Sequence, residues 1–214
     1  MYSGRIHQQS EGTMQKWIVI GVIILVALLG VGSYNHLVSL SQDVEKQWAQ
    51  VQNVYQRRAD LIPNLVATVS GAANFEKSTM VQVTEARSGV DKVKSDAGQA
   101  LTDPAKFAQY EQAQNALSSA LSHFNVVVER YPDLKATANF QELQAQLEGT
   151  ENRITVERQR FNDVVQSYNT AIKRFPTVLF AGTMGFKERP YFTATSGAET
   201  PPKVQFDFQG TPAK

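Results

Sequence analysis

The chain has 214 residues, a formal net charge of +1, 42% hydrophobic residues and no cysteine. The near-zero charge gives the chain as a whole no electrostatic attraction to nucleic acid, and without cysteine it forms neither disulfides nor thiolate metal sites. The length allows one domain with accessory segments, and the apolar fraction is large enough for a packed core.

The first predicted element is an apolar segment from Trp17 to Tyr34 that contains no charged residue. As a helix it is about 27 Å long, close to the roughly 30 Å of a bilayer's hydrocarbon core. The two aromatic residues at its ends are typical of a membrane interface. The alternative is a cleaved signal peptide, but the small residues near the end of the segment, at 30–33, form no Ala-x-Ala site. We predict a single transmembrane anchor. Since it lacks a Gly-x-x-x-Gly motif, we expect no tight dimer from this helix alone.

The charges around the anchor predict its orientation. Arg5 and Lys16 precede it, and only Lys46 follows it closely. This bias favours an N-terminus in the cytoplasm and a bundle on the outer or periplasmic side of the cytoplasmic (inner) membrane. Residues 34–214 contain equal numbers of basic and acidic residues, so we expect no overall attraction of the domain to anionic lipid.

Apolar residues then recur at helical spacing, with Arg58 in the stripe position between Tyr55 and Ile62. Pro63 interrupts this pattern, because it has no N–H and its ring crowds the carbonyl of Ala59. Asp60 is a suitable N-cap for a new helix. We expect a kink or a restart at Asp60, and the unbroken phase of the stripe favours the kink.

Two further long helices follow, and then a change of composition. Asp103 and Pro104 are typical of a helix start, and Pro132 ends that helix. The last helix carries apolar residues from Phe140 to Ile172 and stops at the Arg-Phe-Pro of residues 174–176. The remainder is rich in Gly, Pro and Thr and predicts an extended tail, with one short strand in "KVQFDF".

The predicted fold is therefore all-α. It has a single N-terminal transmembrane helix, an antiparallel up-and-down bundle of about four long helices with a kink near Pro63, and an extended C-terminal tail. The predicted boundaries are a leader at 1–16, the anchor at 17–34, the bundle at 35–178 and the tail at 179–214.

Two long motifs resemble the LemA family. The first is "YNHLVSLSQDVEKQWAQVQNVYQRRADLIPNLVATVSGAANFEKSTMVQVTEAR"; the second comprises "LQAQLEGTENRITVERQRFNDVVQSYN", "RFP" and "GFKERPYF". The resemblance covers roughly residues 34–208. It implies a bacterial protein with one N-terminal membrane helix, a four-helix bundle and no established biochemical activity. Many members have Tyr and His where this chain has Ala72 and Phe75, so a role for that histidine does not carry over.

No motif in the sequence predicts an enzyme. His123 follows a serine, like a phosphoacceptor histidine, but the next residue is Phe124 rather than an acid, and no nucleotide-binding motifs follow. A di-iron bundle requires Glu-x-x-His pairs, and Ala120 stands where that glutamate would be. We find no Gly-x-Ser-x-Gly motif and no P-loop. We predict no catalytic residue, no cofactor and no metal site.

The polar residues around Pro63 form the first candidate site. Asn53, Arg57, Asp60 and Asn64 are spaced so that they share one helix face. In the structural interpretation, Arg57 and Asp60 pair at i,i+3 on the surface, while Arg58 reaches an acid of the last helix. The candidate acids are Glu148, Glu151 and Glu157. An Arg58–Glu157 pair is favoured because Glu157 interrupts the apolar stripe of its helix, and this pair would set the register of the two helices. In the functional interpretation, a polar groove near Pro63 binds a partner or ligand.

The tail is the second candidate site, with Arg189, Tyr191 and Phe192 as the predicted contact residues. Five aromatic residues lie between Phe186 and Phe208 with no helix to bury them. Either the tail folds back and caps the end of the bundle, or it binds another protein as a strand or an aromatic anchor.

The leading functional hypothesis is a non-enzymatic scaffold or adaptor of the bacterial cell envelope. The predicted partners are the membrane, an unidentified protein and further copies of the chain, and no nucleic acid. The alternative is a bundle that binds a peptide or small ligand in a groove at Pro63, and an enzyme is the third possibility.

Overall fold

The computed structural model describes residues 5–72 and 75–193. It confirms the all-α fold, with one long apolar N-terminal helix and a helical bundle. Helix α1 spans Arg5–Ser70, α2 Lys77–Lys94, α3 Pro104–Val128, α4 Pro132–Lys135 and α5 Ala138–Lys173, and a 3-10 turn follows at Thr177–Leu179. The predicted strand and the rings of Phe206 and Phe208 lie outside the described residues.

Helix α1 begins at Arg5, before the apolar segment, and continues through that segment without a break into the bundle. It is the one helix of the described residues that is long and apolar enough to cross a membrane, and the apolar window is unburied. Trp17 is 69% exposed and Leu28 65% exposed. Beyond Tyr34 the helix becomes amphipathic, and the predicted stripe faces the core, including Leu37, Trp48, Tyr55 and Ile62. The first chain reversal follows Ser70, at Gly71, before α2 begins at Lys77.

The four long helices form two antiparallel pairs. Helix α1 packs mainly on α5, and α2 packs mainly on α3. The start of α3 follows the predicted pattern, because the Asp103 carboxylate accepts hydrogen bonds from the backbone N–H of Ala105 at 2.9 Å and Lys106 at 3.4 Å. Pro104 needs no partner at this position. The cap thus fixes where the chain re-enters the bundle.

The buried side chains form two core regions along α1. The proximal region, nearer the apolar segment, surrounds Trp48 and contains seven aromatic rings: Trp48, Tyr55, Phe107, Tyr110, Phe161, Tyr168 and Phe192. The distal region surrounds Ile62 and Leu65 and is mostly aliphatic, with Phe75, Phe124 and Phe140 as its aromatic residues. Trp48 is held in place by its indole N–H, which donates to the carbonyl of Ala97 at 2.9 Å. The distal region is built from all four long helices, whereas the proximal region also includes the tail.

Of the two alternatives expected at Asp60, the less favoured one, a restart of the helix, is wrong. Helix α1 runs through Pro63 to Ser70, and Asp60 accepts a hydrogen bond from the Gln56 side chain at 2.6 Å instead of capping a new helix. The prediction failed because a proline inside a helix leaves one carbonyl without its donor, and here the fold supplies another donor from a different helix.

Candidate functional site

The donor that replaces the missing N–H of Pro63 is Arg87 of α2. Its Nε donates to the carbonyl oxygen of Ala59 at 3.1 Å, which is the acceptor that the missing N–H of Pro63 would have served. Ala59 is buried, and a buried carbonyl without a partner is costly. The other end of the guanidinium lies 3.5 Å from the carboxylate of Asp91. Arg87 therefore allows α1 to stay helical through Pro63.

Arg58 lies in the middle of the bundle, between the two core regions, and is 1% exposed. One guanidinium nitrogen donates to Glu151 Oε2 at 2.8 Å and to Ser118 Oγ at 2.6 Å. The other donates to Gln114 at 2.7 Å for the side-chain oxygen and 3.1 Å for the backbone oxygen. The guanidinium also lies 5.3 Å from the ring centroid of Tyr55. Arg58 thus links α1, α3 and α5 at one point. The structural interpretation predicted that Arg58 reaches an acid of the last helix, and Glu151 is that acid.

The predicted partner of Arg58 was wrong. Glu157 accepts from the Gln47 side chain at 2.6 Å and pairs with Arg160 at 2.8 Å, and Glu151 takes the place beside Arg58. In an antiparallel pair, a later residue of α1 faces an earlier residue of α5. Gln47 precedes Arg58 by about three turns, so its neighbour Glu157 lies too far along α5 to reach Arg58.

The other residues predicted around Pro63 lie on the outside. Arg57, Asp60, Pro63 and Asn64 are all exposed, and Asp60 bonds to Gln56 rather than to Arg57. Glu148 is exposed as well and accepts from the Gln144 side chain at 3.0 Å. These residues form a polar face. A cavity of about 290 Å³ lies between α1, α2 and α3, beside Tyr55, Val90 and Gln114, and of the four residues predicted to share one face Asn53 alone lines it. Glu148 lines a smaller cavity of about 150 Å³ together with Glu151.

The tail residues 186–193 lie along the side of the bundle, held by two asparagines of α5. The Asn169 side chain accepts from the N–H of Arg189 and donates to its carbonyl, both at 2.9 Å. Asn162 makes the same pair of bonds to Phe192, at 2.9 and 3.0 Å. Seven helical residues rise about 10.5 Å, and three extended residues span about 10 Å. The two spacings match, so each asparagine of α5 can bind the backbone of one residue of the extended tail.

The side chain of Phe192 fills the proximal core. It is 6% exposed, and its ring centroid lies 4.9 Å from that of Phe107, 5.3 Å from Phe161 and 5.9 Å from Trp48. Tyr191, by contrast, is 42% exposed. The tail up to residue 193 therefore folds back, but it runs along the side of the bundle. The predicted position at the bundle end is corrected, because the asparagines that bind the tail lie on the length of α5.

Two arginines and one acid complete the attachment of the tail. The Arg189 guanidinium donates to the carbonyl of Leu101 at 3.1 Å and to Ser41 Oγ at 3.4 Å. Farther along, Glu111 pairs with Arg158 at 2.8 Å and accepts from the N–H of Thr193 at 3.1 Å. Arg158 also lies 4.5 Å from the ring centroid of Phe192. The polar atoms of the tail thus bond to four parts of the bundle.

Sequence reasoning missed most of these partners. Asn162 and Asn169 carried a readable signal, since two asparagines seven residues apart share one helix face. Glu111 and Arg87 carried none, because each acts on a segment distant in sequence. The first candidate site and the tail site meet at Tyr55, which contacts both Arg58 and Phe192. They also meet at a cavity lined by Ser118, Glu151, Arg158 and Thr193.

Burial controls the titration of the tyrosines in the proximal core. It raises the pKa of Tyr55 to about 12, and it raises the pKa of Tyr110 and Tyr168 as well. All three therefore remain protonated at neutral pH. Among residues 5–72 and 75–193, no group of three or more His, Cys, Asp or Glu residues is placed to hold a metal ion. His123 is exposed on α3.

The chain is similar to several known proteins over most of its length. The magnetosome protein MamQ of Magnetospirillum gryphiswaldense is 25% identical over 91% of this chain and 78% of the relative. The magnetosome protein MamQ 1 of Paramagnetospirillum magneticum is 26% identical over 89% of this chain and 76% of the relative. The protein LemA of Metamycoplasma hominis is 24% identical over 83% and 85%. These relatives and the apolar helix fit a membrane-associated protein. The sequence model of the LemA family matches residues 47–206, which covers both Arg58 and the tail site, and the chain belongs to the LemA family.

Proposed function

We propose that the chain is a non-enzymatic scaffold or adaptor of the bacterial cell envelope. A single N-terminal helix would hold it in the cytoplasmic membrane, with the bundle on the outer side. The observation that carries this proposal is the continuity of α1, which is both the apolar span and one wall of the bundle. A bundle joined in this way to its anchor is suited to holding other molecules at a set distance from the membrane.

The interior of the bundle supports a structural role. The buried charge of Arg58 is used in bonds between helices, and the asparagines along the side of α5 bind the chain's own tail. The buried tyrosines are protonated at neutral pH, so they supply no base for catalysis. The relatives include magnetosome proteins, and the family resemblance implies no established activity.

In-cell crosslinking of the full-length protein, followed by mass spectrometry, tests the proposal. The informative variant ends at Thr193, because it removes residues 194–214 and keeps the residues that fill the core. A stoichiometric foreign partner that is lost in this variant supports an adaptor. Crosslinks between copies of the chain support a self-assembling scaffold. Capture of neither kind, with the protein intact in the membrane fraction, contradicts both forms of the proposal.

A second candidate function is peptide binding, and the two asparagines of α5 favour it. Asn162 and Asn169 contact only backbone atoms of the tail, a recognition that does not depend on the side chains of the bound segment. A labelled peptide with the sequence of residues 186–193 should bind to a Phe192→Ala variant, whose own tail is loosened. A peptide that binds equally well after Asn162→Ala and Asn169→Ala contradicts this candidate.

A further inference from the structure

The turn that follows α5 carries an unusual amount of exposed apolar surface. Phe175 is 80% exposed, Leu179 72%, Val178 50% and Met184 43%. Elsewhere in the bundle, exposed apolar side chains such as Val126 and Val156 stand singly, which is normal for a protein surface. Four within ten residues form a patch, and such patches mark interaction sites. We call residues 175–184 the apolar turn.

The apolar turn lies beside the point where α1 leaves its apolar segment. Phe175 and Thr177 share a cavity wall with His36 and Leu40. On the other side of the turn, the ring centroid of Phe186 lies 5.7 Å from that of Tyr34, the aromatic residue at the end of the span. Leu40 is only about 9 Å beyond Tyr34 along the helix. Since each headgroup layer is roughly 5–7 Å thick, the side of the turn beside His36, about 3 Å beyond Tyr34, lies at the height of the lipid headgroups, and the side beside Leu40 lies just outside them.

The backbone holds the turn at this height, and cations border it. The N–H of Phe186 donates to the carbonyl of Ala181 at 3.0 Å, and Gly185 has φ +85°, a conformation that glycine adopts readily. The chain then reverses and returns along α5. Lys173, Arg174 and Lys187 are exposed around the turn, and Lys173 pairs with the exposed Glu188 at 2.8 Å. Apolar side chains bordered by long cations are typical of a surface that inserts into a lipid interface.

We propose that the apolar turn is a second membrane contact, in which Phe175, Val178 and Leu179 insert into the headgroup layer of the same bilayer that holds α1. This inference rests on the proposed anchoring of the apolar segment. Its occupant is a lipid surface, because the turn is continuous in height with the end of the span. Two contacts at different distances from the helix axis would prevent the bundle from rotating freely about α1.

The absence of cysteine makes a direct test possible. Single cysteines introduced as V178C, V126C and L25C would carry an environment-sensitive fluorophore on the full-length protein in phospholipid vesicles. Lipids with a spin label near the headgroup or deep in the acyl chain would quench it. We expect the probe of V178C to lose most of its emission to the shallow label. V126C is the matched control, an exposed valine at the far end of α3, and it should keep its emission with either label.

L25C distinguishes a failure of the second contact alone from a failure of the proposed anchor. Quenching of L25C by the deep label together with no quenching of V178C overturns the second contact and leaves the anchor intact. In that outcome, protection of the V178C probe from an aqueous quencher would point to a protein occupant instead. No quenching of L25C overturns the proposed anchor, and the second contact with it.

Discussion

The proximal and distal regions of the bundle use the same helices but are closed in different ways. The distal core is mostly aliphatic and is built from helices that reverse direction through short turns. The proximal core is mostly aromatic, and one of its central rings comes from Phe192, near the end of the described chain. The proximal half of this bundle is therefore complete only when the tail packs against it, whereas the distal half does not need the tail.

Loss of the tail ring should give the largest effect. Phe192→Ala is expected to lower the free energy of unfolding by about 3–5 kcal/mol, because it empties a pocket formed by four aromatic side chains. Denaturant unfolding of the detergent-solubilised protein measures this loss. Hydrogen exchange should show faster exchange in α1 near Trp48 and in α5 near Phe161, with α2 unaffected. Tyr191→Ala, on an exposed side chain, should change stability by less than about 0.5 kcal/mol. Equal loosening of both regions would contradict the division.

The link between the two regions should give the next effect. Glu151→Ala removes the carboxylate beside buried Arg58 and leaves the charge with neutral acceptors only. We expect a loss of about 2–3 kcal/mol, below the 3–5 kcal/mol of a fully buried pair, because the Glu151 side chain is 47% exposed. Glu148→Ala, one turn earlier on the same helix, is the control and should be close to neutral. If both variants unfold at the same denaturant concentration, Arg58 does not depend on its acid.

In the distal region, the next effect is expected from removing the donor to the Ala59 carbonyl, which Pro63 leaves without its helical N–H. Arg87→Ala removes the donor to Ala59 and is expected to cost about 1–2 kcal/mol. In a Pro63→Ala background the same change should cost little, since the restored N–H then serves that carbonyl. A double-mutant cycle on unfolding free energies measures this coupling. Asp91→Ala removes only an exposed ion pair and should cost less than about 1 kcal/mol. Additive costs would show that Arg87 acts elsewhere.

The smallest effect at neutral pH is expected for Tyr55→Phe, which acts on the proximal region at high pH. Burial raises the pKa of Tyr55 to about 12, above its ordinary value near 10. The resulting stability is present below pH 10 and is lost as the pH rises from about 10 to 12. Because Tyr55→Phe removes this titration, the unfolding free energy of the variant should fall less steeply with pH, by up to about 1.4 kcal/mol per pH unit. Parallel curves for the variant and the wild type would contradict it.

Local pattern was enough to predict much of the fold. The 3.6-residue period of α1, the Asp103–Pro104 helix start and the end of α5 before Pro176 are each encoded in neighbouring residues, and all three agree with the structure. The burial of Arg58 was also predictable, because it occupies a stripe position. These features depend on the geometry of one helix, which the sequence determines directly.

The candidate site was less predictable, because its contacts depend on how helices are placed side by side. Glu151 and Glu157 are both on α5, and only the register of α5 against α1 decides which meets Arg58. The continuity of α1 through Pro63 depends on Arg87, which is 24 residues later in the chain. The burial of Phe192 depends on asparagines that hold the backbone and not the ring. The residue pattern within a single segment reveals none of these pairings.

The unbroken helix through Pro63 also has a mechanical consequence. From Tyr34 to Ser70, α1 extends about 54 Å with no loop at which the bundle could bend away from its span. When bilayer thickness changes, a spanning helix adjusts its tilt, and α1, anchored as proposed, would carry that tilt outward as a rigid arm. A change of about 10°, well within the usual range, displaces the outer end by about 9 Å. In a bilayer, the position of the outer end of the bundle would therefore change with the thickness of the membrane.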